Sequence, residues 1–198
     1  MRKREFRAAM GRLASSDTYH TLKRDRPAAL LRIRRAAGDG RRGVLLLDGQ
    51  AIAVALGRGG IKANKAEGDG GTPRGRFRPR RLWWRADRHT RPATRLTARP
   101  IRDADAWCED PSSRAYNRPI RLAQGAAGDR LARADHLYDF IIEIDHNVRP
   151  RIAGRGSAVF LHLARPNFAP TAGCVAMTRA AMLRLLKRIG PDTRIVIG

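Results

Sequence analysis

Two apolar runs split by a tight-turn sequence constrain this chain more than any other feature. Val44-Leu45-Leu46-Leu47-Asp48 and Ala51-Ile52-Ala53-Val54-Ala55-Leu56 flank the triplet Asp48-Gly49-Gln50. Short apolar runs either side of Asp-Gly are a β-hairpin signature. Residues 77–84, 139–145 and 194–197 read as further strands, as do residues 157–163 after the Gly154-Arg155-Gly156 turn. Helical spacing is clear in one place. Met182, Leu185, Leu186 and Ile189 fall on one face, Thr178 is placed to cap the start, and Gly190-Pro191 ends the run. Residues 85–135 are punctuated by Pro, Asp, Arg and Gly. A loop-rich stretch that long in a compact domain usually has a task, here expected to be shaping a cleft. The pattern predicts a mainly β domain with one clear helix near the C-terminus and no repeats.

The chain has 198 residues, enough for one substantial domain, and its 42% apolar content supports a real core. Its formal net charge is +23, almost all from arginine; lysine occurs only at positions 3, 23, 62, 65 and 187. Two readings stand side by side. Such a charge suits a polyanionic partner such as nucleic acid, an anionic membrane or an acidic wall polymer. Alternatively, arginine-rich codon usage loads a solvated surface without selecting a ligand. Residues 1–42 read as a basic N-terminal extension and residues 43–198 as the folded domain. A nucleic-acid arm is the sharper reading of the extension, but no aromatic interleaving supports base stacking there. The start is basic without a following apolar stretch, so it gives no recognisable secretory signal, and no apolar run is long enough to span a membrane. The two cysteines, Cys108 and Cys174, have no metal-ligand spacing and are too few for a disulfide framework, although one bridge between them stays open.

The chemistry concentrates between His162 and Cys174, in His-Leu-Ala-Arg-Pro-Asn-Phe-Ala-Pro-Thr-Ala-Gly-Cys. A free thiol near pKa 8.5 is mostly protonated at neutral pH, so a nucleophilic cysteine needs a base. His162 is placed to take that proton and later deliver one to a leaving amine. Gly173 lets a carbonyl approach Cys174 closely, and the helix start at Thr178 offers backbone N–H groups to a thiolate or oxyanion. The plain alternative is a buried cysteine and a packed core histidine. His136 and His146, each preceded by Asp, are further candidates. Cys108, Trp83 and Trp84 read as packing residues, and Gly57-Arg58-Gly59-Gly60 as turn chemistry rather than a phosphate loop.

Three blocks resemble the YkuD-type L,D-transpeptidases, and together they cover roughly residues 43–198. The first is Gly57-Arg58-Gly59-Gly60-Ile61 followed by Lys65-Ala66-Glu67-Gly68-Asp69-Gly70-Gly71-Thr72-Pro73-Arg74-Gly75-Arg76-Phe77, whose K-x-E-G-D-G-x-T-P form resembles a proteobacterial branch. The second is Asp135-His136-Leu137-Tyr138-Asp139 with Gly154-Arg155-Gly156-Ser157-Ala158; the third is His162 with Thr171-Ala172-Gly173-Cys174-Val175.

The resemblance implies a β-sandwich-type catalytic domain. It implies acyl transfer on peptidoglycan tetrapeptide stems through a Cys174 thioester, releasing D-alanine and forming a crosslink or protein attachment, with no metal or cofactor. The acceptor is then a second stem peptide or a protein. Catalytic roles pass to Cys174, His162 and Gly173, and the Leu163 carbonyl would orient the imidazole. Arg165, Thr171, Asn117, Tyr116 and Arg179 are the expected substrate-binding residues. Three features depart from the family pattern: Ala172 replaces a second histidine, Ala176 replaces an arginine that Arg165 or Arg179 would have to supply, and the His-to-Cys spacing is short. The substrate class implies the periplasm or cell wall, although the visible N-terminus does not. An L,D-carboxypeptidase or amidase using water as acceptor shares all these features. A basic polyanion-binding protein with a degenerate enzyme domain is the alternative from another class.

Overall fold

The computed structural model describes residues 28–123 and 128–198. Most of the expected basic extension therefore lies outside the described residues. β1 (Leu30–Ala36) leads into the hairpin of β2 (Asp39–Leu47) and β3 (Gln50–Ala55). Asp48 and Gly49 take φ of 50° and 80°, the double left-handed turn that matches the twist of two antiparallel strands. β4 (Ile61–Lys62) and β5 (Thr72–Pro73) pair across the glycine-rich segment, and β6 (Gly75–Phe77), β7 (Pro79–Trp84) and β8 (Thr97–Pro100) follow. The long loop contains β9 (Asp105–Trp107), β10 (Pro119–Arg121) and β11 (Asp129–Arg130), which form a small sheet in the order β10-β9-β11. β12 (Phe140–Ile144), β13 (Phe160–Leu163), β14 (Val175–Met177), helix α1 (Arg179–Arg188) and β15 (Arg194–Ile197) complete the described chain.

Ten strands join in one sheet, ordered β6-β15-β1-β2-β3-β14-β13-β12-β7-β8. The fold is mainly β, with α1 the one α-helix among the described residues. Thr178 caps α1 as expected, its side chain accepting from the Ala181 amide. Met182, Leu185 and Leu186, with Ile189 at the C-cap, pack into the principal core against Leu31, Ile33, Leu45, Val54, Leu161 and Ile195. On the other face of the sheet, Trp83, Ile141, Phe160 and Cys174 form a second cluster with Trp107 and Leu131 from the long loop. That loop is therefore a lid of short strands packed over β7, β12 and β13.

The sheet also takes in residues upstream of the expected boundary at Gly43. Leu31 and Ile33 are buried and alternate with exposed Arg32 and Arg34. This is the period-2 pattern of a half-buried strand, and it pairs with β15 on one side and β2 on the other. Its outward side is strongly basic: Arg32, Arg34, Arg76 and Arg194 are all exposed on neighbouring strands. Residues 157–159 do not join β13, because Ala158 sits at φ 49° and Gly156 at φ 95°, bending the backbone out of the extended run.

Candidate active site

β13 and β14 run parallel, with Leu161 opposite Val175, His162 opposite Ala176 and Leu163 opposite Met177. Side chains alternate along a strand, so Leu161, Val175, Leu163 and Met177 enter the principal core. His162 on β13 and Cys174, the residue just before β14, consequently share the opposite face, offset by two residues, with Cα atoms ~8 Å apart from strand spacing and rise. Both line a cleft of about 360 Å³ together with Arg58, Glu109, Asp129, Tyr138, Arg165 and Thr171.

Cys174 is 8% exposed. Its Sγ accepts from the Phe160 amide at 3.3 Å and donates to the Ala158 carbonyl at 3.2 Å. Burial pushes the thiol up to about 12; the carboxylates of Asp129 and Glu109 add to this, while the Phe160 amide and Lys65 oppose it. His162, 6% exposed, is pulled down to about 4, chiefly by burial. Its Nδ1 lies 2.8 Å from the Leu163 carbonyl, which can only accept. The ring hydrogen is therefore on Nδ1, and Nε2 keeps a lone pair for use as a base. This is the orienting carbonyl expected from the resemblance. The edge of the Tyr138–His162 contact, with ring centroids 5.4 Å apart, fixes the imidazole from its other side.

The resting site thus holds a neutral thiol and a neutral imidazole. Among the described residues no hydrogen bond joins them, so His162 does not hold Cys174 as a standing thiolate. The helix start does not help either. β14 separates Cys174 from Thr178, and four extended residues place the first turn of α1 ~13 Å along the chain. The amide that does reach the sulfur belongs to Phe160.

The loop carrying Cys174 is held by the glycine-rich segment. Thr171 Oγ1 donates to the Cys174 carbonyl at 2.7 Å and accepts from the Gly173 amide at 3.1 Å. The Thr171 backbone bridges to Gly57. Gly173 sits at φ 148°, and a Cβ there would lie 2.9 Å from the Gly71 carbonyl oxygen. Gly71 is fixed in turn by Asp69, whose carboxylate accepts from the Gly71 and Ala66 amides and from Lys65 Nζ at 2.6 Å. Burial alone would raise Asp69; the Lys65 hydrogen bond and the two amides outweigh it and hold the carboxyl well below its usual range. The Lys65–Thr72 block is thus a clamp behind the cysteine loop, a role its sequence does not disclose.

The structure brings together Cys174, His162, Gly173, Thr171 and Arg165, but it places the other expected binding residues elsewhere. Asn117 is buried at φ 52°, accepts from Trp107 Nε1 and the Ala158 amide, and donates to the carbonyls of His146 and Asn147. Tyr116 donates to Glu67 and accepts from the Gly156 amide at 3.0 Å. Both tie the lid to the segments beneath it, and neither lines the cleft. Arg179 lines a separate groove with His136 and Asp139. His136 and His146 are each engaged by a backbone carbonyl, of Ala164 and Arg155 respectively. Cys108 is a buried free thiol, and Trp83 and Trp84 are buried in the two cores, as packing residues should be.

A guanidinium does reach the loop between His162 and Cys174, but from β2. Arg42 Nη2 donates to the Asn167 carbonyl at 2.8 Å. Arg42, Ala55, Ala176 and His162 form one row across four strands, and the two alanines leave that path clear. Glu109, Asp129, Tyr138 and Arg58 also line the cleft without having been singled out as site residues. The only signal for Glu109 and Asp129 was their place in the loop expected to shape it.

Fold and site define a mainly β domain with a buried cysteine and a carbonyl-oriented histidine in a single cleft. The chain belongs to the YkuD family: the L,D-transpeptidase catalytic domain matches residues 36–197. No curated protein and no solved structure gives a match. Among the described residues no helix is long and apolar enough to cross a membrane.

Proposed function

We propose that this L,D-transpeptidase-family enzyme transfers an acyl group from a peptidoglycan tetrapeptide stem to an amine through a Cys174 thioester. The single observation that carries the reading is the pairing of Cys174 with a neutral His162 whose Nδ1 is tied to Leu163 O, leaving Nε2 free in the same cleft. His162 Nε2 takes the Sγ proton as sulfur attacks the carbonyl of the third stem residue. The C–N bond to D-alanine breaks, and the imidazolium gives its proton to the departing amine. The acceptor amine then attacks the thioester, loses a proton to Nε2, and the C–S bond breaks; the thiolate recovers that proton. No step requires a metal or cofactor. Thr171 and Gly173 hold the nucleophile's loop, and Arg165 and Arg58 offer guanidinium groups to substrate carboxylates. Membership of a family that acts on peptidoglycan supports a site of action in the periplasm or cell wall.

The test is mass spectrometry of purified tetrapeptide muropeptides incubated with wild type or Cys174→Ala, with and without an amine acceptor. D-alanine release with an amide-linked product, abolished in the variant, is expected. Release without transfer at saturating acceptor would make water the acceptor and the protein an L,D-carboxypeptidase. Turnover that persists in the variant would refute the thioester.

A further inference from the structure

The outer face of one half of the large sheet has no task in the chemistry described above. The inner face of β1, β2 and β15 is buried, with Leu31, Ile33, Leu45 and Ile195 packed in the core that α1 closes. On the outer face the register alternates cation and aliphatic. Arg76 on β6 lies opposite Val196 on β15, Val196 opposite Arg32 on β1, and Arg32 opposite Leu46 on β2. Two residues along the strand Arg34 faces Val44, and in the other direction Leu30 faces Arg194. The four arginines are exposed, Leu30 is 38% exposed, and Val44, Leu46 and Val196 are half-buried. From β6 to β2 is three strand spacings, ~14 Å, so these groups make a patch and not a line.

The fold does not neutralise this patch. Among the described residues no carboxylate pairs with Arg32, Arg34, Arg76 or Arg194. Asp39 is taken by Arg41 and Arg42, and Asp48 by Arg188. Asp192, in the turn before β15, is a single exposed carboxylate against four guanidinium groups. Residues 1–27 lead into this half of the sheet and hold eight Arg or Lys against three Asp or Glu, so they add charge of the same sign and supply no counter-ion. A polyanion in water would engage the arginines alone. The aliphatic residues between them gain only from a partner with an apolar layer directly beneath its anionic charges, which is the make-up of a phospholipid surface. Nucleic acid would call on ring stacking or amide side chains, and the rows named here carry neither.

We infer that the outer face of β6, β15, β1 and β2 docks on an anionic phospholipid bilayer, its arginines taking lipid phosphates while Leu30 and the aliphatic residues beside it rest at the headgroup boundary. Leu31 and Ile33 share one core with Leu82 of β7 and Phe140 of β12, so the sheet curls around that core. Four strand steps separate β1 from β13, and at ~20–25° each the outer face has turned by ~80–100° at the strand that carries His162. The cleft therefore opens alongside the bound surface and stays accessible. Docking holds the enzyme in the layer next to the bilayer and uses no cleft residue.

The experiment is co-sedimentation of the full chain with vesicles of phosphatidylcholine, with and without phosphatidylglycerol, at physiological ionic strength. Each arginine at an anionic lipid surface contributes about fivefold in affinity. Arg32→Gln/Arg34→Gln/Arg76→Gln/Arg194→Gln should therefore weaken binding to phosphatidylglycerol vesicles by about a hundredfold or more. Arg91→Gln/Arg102→Gln/Arg118→Gln/Arg121→Gln removes the same charge from exposed positions off this face, and its loss should stay below about tenfold. Leu30→Ser should weaken vesicle binding about three- to sixfold, from the apolar area lost, and leave binding to duplex DNA unchanged. Cys174→Ala should bind as wild type does, whatever the fate of the acyl-transfer reading; loss of binding there would place the contact in the cleft and overturn the inference. Wild type without a preference for phosphatidylglycerol overturns it, as do equal losses in the two quadruple variants, because net charge alone would then account for binding. A Leu30→Ser variant that binds vesicles like wild type overturns it too, and parallel loss of duplex DNA by the Arg32 quadruple variant would then make the occupant a nucleic acid.

Discussion

Removing the ammonium of Lys65 should destabilise the domain out of proportion to a surface lysine. Lys65 is 6% exposed; its Nζ donates to Asp69 Oδ1 and to the Ala66 carbonyl, both at 2.6 Å. Lys65→Met keeps the aliphatic stem that packs near Gly156 and Gly173 and deletes only the charge. Breaking a buried ion pair from one side costs ~3–5 kcal/mol. Here Asp69 keeps the Ala66 and Gly71 amides and has Lys62 at 3.6 Å, so the lower end applies, about 3 kcal/mol. Urea denaturation of wild type, Lys65→Met, Asp69→Asn and the double variant closes a cycle, with a coupling of ~1.5–3 kcal/mol expected for a charge-assisted bond. The pH dependence has a definite sign. A carboxyl held below its usual range adds stability above pH 3.8, and that stability is lost as pH falls through the depressed value. In Lys65→Met that value rises toward the unfolded one, so the acid-linked loss is smaller and is complete at a higher pH. Because Gly71 abuts Gly173, D-alanine release should fall although no cleft side chain has changed. A Lys65→Met effect below ~0.5 kcal/mol, or strict additivity in the cycle, would refute the clamp.

Other perturbations separate the remaining parts. Gly173→Ala places a methyl 2.9 Å from the Gly71 carbonyl at φ 148°, so a loss of ~1–3 kcal/mol and a sharp fall in activity are expected; wild-type denaturation and turnover would contradict this. His162 is neutral when folded down to about pH 4 but protonates near 6.5 when unfolded. Stability should therefore fall by roughly 3 kcal/mol as pH drops through that window, and His162→Gln should flatten the slope in denaturation curves taken from pH 4.5 to 7. A parallel pair of curves would count against a buried neutral imidazole. Arg42→Ala removes one exposed hydrogen bond worth ~1 kcal/mol, and amide exchange in residues 165–170 should quicken while the core stays protected. Unchanged exchange would mean the loop does not depend on it.

Legibility in the sequence followed the range of the determinants. The β2–β3 hairpin, the cap at Thr178 and the helix face were readable because turn chemistry and periodicity lie within a few residues. β1 was obscured because the exposed arginines at 32, 34 and 35 made an alternating strand look like a charged tail. The lid strands span two or three residues each, too short for a period to register. His162 and Cys174 were legible as a motif, and parallel pairing of β13 with β14 supplies the geometry the motif implied. Glu109 and Asp129 meet only through the pairing of β9 with β11, which no local signal announces. Tyr116 and Asn117 were polar residues in a loop expected to form a cleft, and their hydrogen bonds turn inward to hold that loop down.

The position of β15 has a consequence for how the domain forms. It lies between β6 and β1 and contacts both, parallel to β1 and antiparallel to β6. Thr193 Oγ1 reaches back to the Ala28 carbonyl, 165 residues away in sequence. Until residues 193–197 are synthesised, β1 and β6 each present an unpaired edge, and the core wall bearing Leu31 and Ile33 is missing a neighbour. The loop entropy of that closure must be met before its contacts give anything back, which predicts slow, late consolidation and an intermediate prone to edge-to-edge association. The arginines at 32, 34 and 76 flank those open edges, where mutual repulsion between copies discourages association during the wait.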